Sequence, residues 1–397
     1  MKSLAVVLSA LFASASLAQA PCTHEMAWKK PGSWAGGAED DLAMADPTYP
    51  KAEYPAALRK ADQVITLLKQ AIPKLDGIEA QAYRSIRGPS QPKGSALKYG
   101  VNTLFKGYYC VPNTPDYPTL RGQIQLGDET GTWIYIRFND LLWLTDEKVR
   151  LDRELRAKGG GTLYFFPRQG GEWKGLPLLL PTVQAPRKTE AVIIAPEGRT
   201  PYRFITREEF LQARVRQTQE KIDKLPQSRD RASVLATLES ERQKLDAAVA
   251  ALSPEERKAE AIVRNAYAVP GGREKIFTTE EEGGRRVFTV SARFLDPGLP
   301  RQAVQFITVY WYWDSGPEDR AKTEIVRQFR EGFDLEARDA RALREGRRLS
   351  RWRRRGVSEC GRDPRSGTRR RLRRVLRSRW SCRARPADRD PCPGSAL

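Results

Sequence analysis

The chain has 397 residues and a formal net charge of +20 at pH 7, a length that allows one large domain or two small ones. The charge suggests a nucleic-acid partner, but most of it lies at the C-terminus. Residues 337–397 hold 21 arginines and six acidic residues, whereas the other 336 residues hold 48 basic and 43 acidic ones. The body of the chain is therefore nearly balanced, and its charge does not indicate a nucleic-acid-binding domain.

The N-terminus has the pattern of a bacterial export signal. Lys2 is followed by an apolar run over residues 4–17 and by a small-residue cleavage motif at 18–20. A lipoprotein signal is excluded because Pro21, not a small residue, precedes Cys22. No later apolar run approaches the ~20 residues that a membrane helix needs. The mature protein is therefore expected to be exported, to the periplasm or beyond.

Helix and strand patterns follow in order. Residues 21–53 predict an irregular arm, and residues 54–72 an amphipathic helix that ends at Pro73. Residues 77–86 fit either a strand or a helical turn. Strands are expected at 101–111, 162–166 and 191–195, and a β-hairpin is expected from 120–126 and 132–138 around a Gly-rich turn.

Residues 206–252 predict an antiparallel helical hairpin. Thr206 and Glu209 have capping-box spacing, and Ile205 and Phe210 have the spacing of a hydrophobic staple. Two apolar seams at steps of three and four follow, separated by a polar turn after Pro226. The first seam is Leu211, Val215, Thr218, Ile222 and Leu225, and the second is Leu235, Leu238, Arg242, Leu245, Val249 and Leu252. The alternatives are one long kinked helix, or a hairpin packed flat as ordinary core.

The remaining elements complete the body. A capped helix is expected from Ser253 to about Tyr267, a second β-hairpin from 275–279 and 286–294, a strongly apolar strand at 304–313, and a last helix from Pro317. Together these patterns predict an α+β fold with antiparallel sheet(s), flanking helices and an inserted coiled-coil-like hairpin. The predicted organisation is a signal peptide (1–20), an arm (21–53), a first part of the body (54–205), the hairpin (206–252), a second part of the body (253–336) and a tail (337–397).

The tail has an unusual composition. Residues 337–397 lack Lys, Phe, Tyr, Ile, Asn, Gln, Met and His, while Arg, Pro, Gly, Ala and Cys are abundant. A GC-rich gene translated out of frame gives this composition. The alternative is a genuine basic tail that binds nucleic acid or anionic surfaces, with Trp352 and Trp380 able to stack on bases. Either origin predicts no packed core there.

Motifs for enzyme chemistry are mostly absent. His24 is the only histidine, so the sequence supports neither a Ser-His-Asp set nor a zinc site, and no catalytic residue, cofactor or metal ligand is assigned. Phosphate-loop and dinucleotide fingerprints are also missing. A hydrolase of envelope glycans would need paired carboxylates in an aromatic cleft. The candidate acids are Asp128, Glu129, Asp140, Asp296 and Asp314, and the candidate lining is Trp133, Tyr135, Trp311 and Trp313. The simpler interpretation is that the acids are turn residues and the aromatic residues belong to the core.

Two further candidates concern binding and the redox state. Alternation along the last strand places Tyr310 and Tyr312 on one face and Trp311 and Trp313 on the other. One of these faces is a candidate binding surface, and Trp311 and Trp313 are the residues we select. Cys22 and Cys110 are the only cysteines of the mature chain before the tail, and in an oxidising compartment two cysteines most simply pair. The alternative is that both remain free thiols.

Four stretches of the chain resemble an uncharacterised family of exported bacterial proteins. They are residues 82–88, residues 126–133, residues 205–211, and residues 294–297 continuing through 305–307. The resemblance brings no activity and no catalytic residue, and it implies a chain that ends soon after a helix like that at 324–335.

The sequence thus leads to three hypotheses. The first is a non-enzymatic exported binding or scaffold protein that uses the hairpin or an aromatic sheet face, with another envelope protein as a candidate partner. The second is the carboxylate-based glycan hydrolase, and the third is binding of nucleic acid or an anionic surface through the tail.

Overall fold

The computed structural model describes most of the chain between residues 22 and 334. The described ranges are 22–36, 39–42, 51–87, 96–111, 122–127, 132–141, 143–145, 150–152, 154–181, 187–196, 199–291, 294–314, 316 and 319–334. The expected signal peptide, the Arg-rich tail, Asp128 and Glu129 lie outside these ranges. Mixed β-sheets and helices give an α+β fold, as the sequence predicts.

The larger sheet contains nine strands among the described residues. Their order is β1-β2-β3-β5-β13-β9-β8-β7, and β4 pairs with β3. All neighbours are antiparallel except β1 and β2, which are parallel. The bounds are β1 Glu39–Asp41, β2 Ile78–Arg87, β3 Lys98–Cys110, β4 Ile124–Leu126, β5 Thr132–Phe138, β7 Arg168–Trp173, β8 Leu176–Leu180, β9 Arg187–Ile194 and β13 Ile307–Asp314.

Two amphipathic helices cover one face of this sheet. Helix α2 spans Tyr54–Ala71, within one residue of the prediction, and packs against β2 and β3. Helix α6 spans Arg320–Gly332 and packs against β13 and α2. The apolar residues that recur every three or four positions in each helix are the buried ones, so helix and sheet share the main hydrophobic core.

A smaller sheet is formed by strands that precede and follow the two long central helices in the sequence. Among the described residues its order is β10-β12-β11, and β6 also pairs with β12. The bounds are β6 Tyr164–Phe165, β10 Tyr202–Phe204, β11 Ile262–Val263 and β12 Arg285–Val290. Phe288 of β12 shares an apolar cluster with Ala191 of β9 and with Phe306, which directly precedes β13 of the larger sheet.

The two long central helices are α3, Arg207–Asp223, and α4, Arg231–Ala251. Thr206 caps α3, with its hydroxyl accepting a hydrogen bond of 3.2 Å from the Glu209 backbone N–H. The reciprocal half of the predicted capping box is absent, because the Glu209 carboxylate binds Arg203 at 2.6 and 2.7 Å instead. An arginine fork outcompetes a single backbone N–H for the carboxylate.

Side chains of α3 and α4 contact each other. Arg214 is 2% exposed and donates a hydrogen bond of 2.7 Å to Glu241. Arg242 is the polar residue on the second seam. It donates a hydrogen bond of 2.8 Å to the side-chain oxygen of Gln219 rather than to a glutamate. In α4 only Leu245 is fully buried, and the other seam residues are half-buried.

The helix predicted from Ser253 to Tyr267 is shorter in the structure. Its capping box between Ser253 and Glu256 is complete. Helix α5 nevertheless ends at Lys258 (Pro254–Lys258), because the following residues leave the helix to pair as β11 with β12. The cap therefore starts the helix as predicted, and pairing with a distant strand ends it early.

Two predicted β-hairpins are wrong. Strands β4 and β5 do not pair with each other, since both pair with the 13-residue strand β3 at different points along it. Residues 275–279 form no strand, and the described partners of β12 are β6, β10 and β11. In both cases a distant strand, whose register the local pattern does not reveal, takes the place of the local partner.

The predicted irregular arm contains short regular elements. These are α1 (His24–Trp28), β1 and a 3₁₀ turn at Lys51–Glu53. Parallel pairing of β1 with β2 fixes this segment on the edge of the larger sheet. Across the described ranges, no helix is both long and apolar enough to span a bilayer.

Candidate functional site

The predicted binding face at Trp311 and Trp313 is wrong, because both side chains are buried. Trp311 is 0% and Trp313 6% exposed. The Trp311 ring lies 4.9 Å from the Trp173 ring and 5.4 Å from the Phe329 ring of α6. Strand β13 is central in the sheet, so its more apolar face is the one that the helices cover.

The opposite face of the same sheet carries a continuous set of aromatic rings. Tyr310 pairs directly with Tyr135, and Tyr312 with Trp133, across β13 and β5. Tyr83 of β2 extends the set to the next strands. We call Tyr83, Trp133, Tyr135, Tyr310 and Tyr312 the aromatic patch, and each of these side chains is half-buried.

The rings of the aromatic patch contact one another. The ring centroids of Trp133 and Tyr135 are 5.5 Å apart and nearly parallel, and those of Tyr83 and Trp133 are 6.2 Å apart. Tyr135 lies 5.4 Å from Tyr310, which is 5.9 Å from Tyr312. These are stacking distances, so the rings form one continuous aromatic set. The buried Trp143 stacks on Tyr310 at 5.7 Å and covers the patch at that end.

Arg137 lies one step beyond Tyr135 on the same face. The side chain is 1% exposed, and no described atom accepts a hydrogen bond from its Nε, Nη1 or Nη2. Its neighbour across the strands is Gly100, where a Cβ would lie 3.1 Å from Arg137 Cδ. Glycine at this position therefore leaves room for the arginine chain, and the guanidinium carbon stands 5.7 Å from the Tyr135 ring centroid.

Burial without a partner is costly for a cation. Desolvation and, to a smaller extent, the nearby charge of Arg87 lower the pKa of Arg137 to about 10, although Asp140 and Asp41 act in the opposite direction. Neither acid compensates the cost in full, because Asp140 lies 3.6 Å from Lys98 and Asp41 accepts a hydrogen bond of 3.5 Å from Ser85. Native proteins satisfy the large majority of buried polar groups, so Arg137 needs an explanation.

Tyr135 is not the missing anion. Burial raises the pKa of Tyr135 well above its ordinary range, and its hydrogen bond with Tyr312 adds to the shift. The phenol is therefore neutral at physiological pH and contributes its ring plane rather than a charge.

A second buried polar atom on this face also lacks a partner. Asn102 is 6% exposed and pairs across the strands with both Tyr83 and Tyr135. Within the described part of the chain, nothing donates a hydrogen bond to its side-chain oxygen. Arg137 thus supplies unused donors and Asn102 an unused acceptor, both beside the aromatic patch.

Asp140 and Asp314 are too far apart to form the carboxylate pair of a glycosidase. Asp140 follows β5 at the end where Phe138 pairs with Ile307, whereas Asp314 is at the other end of β13. Seven residue steps put them about 23 Å apart, beyond the ~10 Å that the chemistry allows. Asp296 accepts a hydrogen bond of 2.8 Å from the Gly298 backbone N–H and belongs to a loop.

The structure places the remaining sequence candidates in structural roles. Cys22 and Cys110 form a disulfide with a Cα–Cα distance of 5.7 Å, which ties α1 to β3. His24 lies on the exposed side of α1. No group of three metal-ligating side chains occurs in the ranges that the structure describes.

Sequence reasoning identified half of this site. It named Trp133 and Tyr135 together as candidate lining of a cleft, and it placed Tyr310 and Tyr312 on one face of their strand, but it did not select Arg137. It did not join the two sets, because joining them needs the pairing of β5 with β13. A signal was present in the sequence. Aromatic residues alternate in both β5 and β13, and Arg137 continues that alternation in β5.

Comparisons with known proteins add no identification. Neither the protein-family models nor the curated proteins match this sequence, and no solved structure matches its fold. The site must therefore be interpreted from its own chemistry.

Proposed function

We propose that this chain is a non-enzymatic binding protein whose ligand site is the aromatic patch of the larger sheet. The observation that carries the proposal is the set of half-buried aromatic rings that continues across β2, β5 and β13 on one face of the larger sheet. Partly exposed aromatic patches of this kind mark interaction sites. The guanidinium of Arg137, which no described group satisfies, adds a positive charge beneath the edge of this patch.

Another buried arginine gives the contrast that supports this assignment. Arg214 in α3 is also nearly inaccessible. Its guanidinium donates a hydrogen bond of 2.7 Å to Glu241 and further hydrogen bonds to the backbone carbonyls of Ala266 and Ala268. Arg214 has the partners expected of a structural arginine, and Arg137 has none. The same contrast favours the sheet face over the helices as the ligand site.

Titration of the full chain with neutral and charged ring compounds tests this proposal. Glucose, cellobiose, benzoate and glucuronate would be followed by calorimetry and tryptophan fluorescence. We expect at least one of them to bind, with binding lost in Trp133→Ala and retained in Tyr109→Ala. Tyr109 is the matched control because it is 44% exposed at the far end of β3, outside the aromatic patch. Failure of all four compounds to bind, or equal effects of the two variants, would refute the proposal.

We also propose that α3 and α4 form an inserted antiparallel hairpin with a coiled-coil-like seam. Support comes from two backbone hydrogen bonds of 2.8 Å where the helices meet the body. The N–H of Arg207 donates to the carbonyl of Ala259, and the N–H of Ala261 donates to the carbonyl of Ile205. The chain thus enters and leaves at adjacent points of the smaller sheet. Replacing residues 219–240 by a short Gly-Ser linker, which keeps Arg214, Glu241 and the buried Gln217, is expected to preserve cooperative unfolding of the body. Loss of folding would show that the helices are part of the core.

Export is proposed for the same chain. The Cys22–Cys110 disulfide supports an oxidising destination, since such bonds are rare in reducing compartments. Intact mass of the mature protein is expected to begin at Pro21. A retained N-terminus would contradict export, and the same spectrum would establish whether residues 337–397 are present. The described carboxylates give no observation that favours the glycan hydrolase.

A further inference from the structure

A cleft of about 320 Å³ lies between α1, the turn that follows α2 and the start of α6. Trp28 and Ala321 supply its apolar lining, and Asp76 and Arg320 are among the charged residues around it. This volume is at the lower end of the range of small-molecule sites, about 300–1,000 Å³. The described lining shares no residue with the aromatic patch, so the cleft is a separate candidate site.

Backbone contacts hold the three walls of the cleft in place. The N–H of Gly77 donates a hydrogen bond of 2.7 Å to the carbonyl of Lys30, just after α1. Gly77 has a φ of +74°, and a Cβ there would lie 2.8 Å from the Trp28 backbone, so this close approach requires glycine. Gln328 of α6 exchanges two hydrogen bonds of 3.2 Å with the backbone of Lys74. The cleft is therefore preformed by the fold.

Three of the five charged residues in the lining already have partners. Glu25 binds Lys29 at 2.6 Å, and Glu324 binds Arg327, which lies outside the cleft, at 2.6 Å. Lys29 and, to a smaller extent, Arg320 lower the pKa of Glu25. Arg320 thus acts on this acid from a distance, while Lys29 neutralises it.

Asp76 and Arg320 remain, and they carry opposite charges. Both side chains are exposed, and neither forms a hydrogen bond or a salt bridge with the described residues, including each other. Because both line one small cleft, a single small molecule can contact both. A compound with only one charge would be attracted by one side chain and repelled by the other, so the pair selects a molecule that carries both charges.

We propose that the cleft binds a free amino acid with an apolar side chain. The ammonium of the ligand pairs with Asp76 and its carboxylate with Arg320, whose planar guanidinium matches a carboxylate through two parallel hydrogen bonds. The side chain of the ligand packs on Trp28, and an aromatic side chain gains most from this contact. The inference does not depend on the binding function of the aromatic patch.

Four probes separate the parts of this ligand. L-Phenylalanine carries both charges and a ring, N-acetylphenylalanine lacks the ammonium, phenylalanine amide lacks the carboxylate, and glycine lacks the ring. Calorimetry with the full chain at low salt measures the affinities, because salt screens exposed charges. Phenylalanine is expected to bind more tightly than the other three, by about 5-fold over each singly charged derivative, the upper range for a solvent-exposed ion pair.

Two variants assign the charged contacts. Asp76→Asn should weaken phenylalanine by about 5-fold and leave N-acetylphenylalanine unchanged. Arg320→Gln should weaken phenylalanine equally and leave phenylalanine amide unchanged. A general loss of structure would not produce this crossed pattern. Asp246→Asn and Arg273→Gln are matched controls, since both residues are exposed and lie outside the cleft, and both should bind phenylalanine like the wild type.

Several results would overturn the assignment. Absence of phenylalanine binding by the wild type, or equal binding of phenylalanine and either derivative, excludes a site that needs both charges. Equal binding of N-acetylphenylalanine would instead indicate the carboxyl end of a peptide. Phenylalanine binding that persists in both cleft variants but is lost in Trp133→Ala would belong to the aromatic patch, which overturns this inference and leaves the proposed function intact.

Discussion

Replacing Arg137 by methionine is expected to stabilise the unliganded protein. Methionine retains an unbranched side chain of moderate length over Gly100, and it removes a buried charge that no described group satisfies. Most substitutions of a buried residue destabilise a protein, so the direction of this prediction is unusual. It follows directly from the absence of a partner for the guanidinium.

The magnitude comes from the cost of desolvating the cation. Burial lowers the pKa of Arg137 from 12.5 to about 10. At 1.36 kcal/mol per unit, this shift corresponds to a cost of about 3 kcal/mol. The cost is fully present at pH 7, because the group is charged in the folded and unfolded states alike below pH 10. It is relieved only as the pH rises from 10 towards 12.5, where the folded state loses its proton first.

Other contacts of the side chain offset part of this gain. The cation–π contact with Tyr135 is worth about 0.5–2 kcal/mol, and methionine loses it. The expected net stabilisation of Arg137→Met is therefore about 1–3 kcal/mol, within the range known for replacing buried charges by apolar side chains.

Urea unfolding at pH 7 in a buffer free of carboxylates and phosphate measures this free energy. Arg214→Met is the matched control, since Arg214 is equally buried but paired with Glu241. Breaking that pair should cost about 3 kcal/mol. A variant Arg137→Met that is less stable than the wild type by more than about 1 kcal/mol would show that Arg137 has a structural partner in the fold.

Three further changes test other parts of the fold. Reducing the Cys22–Cys110 disulfide, which closes a separation of 88 residues, should lower the free energy of unfolding by up to ~4.5 kcal/mol, and an unchanged urea midpoint would contradict its role. Gly100→Ala places a Cβ 2.1 Å from a backbone carbonyl oxygen of the neighbouring strand, so a loss of about 1–3 kcal/mol is expected, and a neutral result would refute the strand register. Ser253→Ala removes the cap of α5 and should cost about 1 kcal/mol by the same assay, whereas no change would mean that the cap adds nothing.

Local features of the sequence predicted local structure well. The periodicity of residues 54–72 gave α2 within one residue, and the hydroxyls of Thr206 and Ser253 cap their helices as predicted. These signals depend on residues three or four positions apart, so no knowledge of the rest of the chain is needed.

Pairing across the sheets could not be predicted in the same way. The turn between β4 and β5 favoured a local hairpin, but the length of β3 lets it bind both strands. Strands β7 and β8 were missed because glycines and prolines interrupt their pattern. Non-local register decides such pairings, and a single sequence does not reveal it.

The candidate site depends on the same non-local register. Alternation alone divided β13 into a tyrosine face and a tryptophan face, and the tryptophans were selected as the binding surface. The structure buries Trp311 beneath α6 and brings the tyrosines to Arg137. Which face the helices cover is a property of the whole sheet.

The affinity of the full chain for glucose, cellobiose, benzoate and glucuronate, compared between the wild type and Trp133→Ala, shows whether the aromatic patch binds a ligand. Calorimetry should show binding of at least one compound to the wild type and a loss of about 10-fold or more in the variant, because the ring contributes buried area and stacking. Equal affinities in the two proteins would contradict the assignment of the aromatic patch as the ligand site.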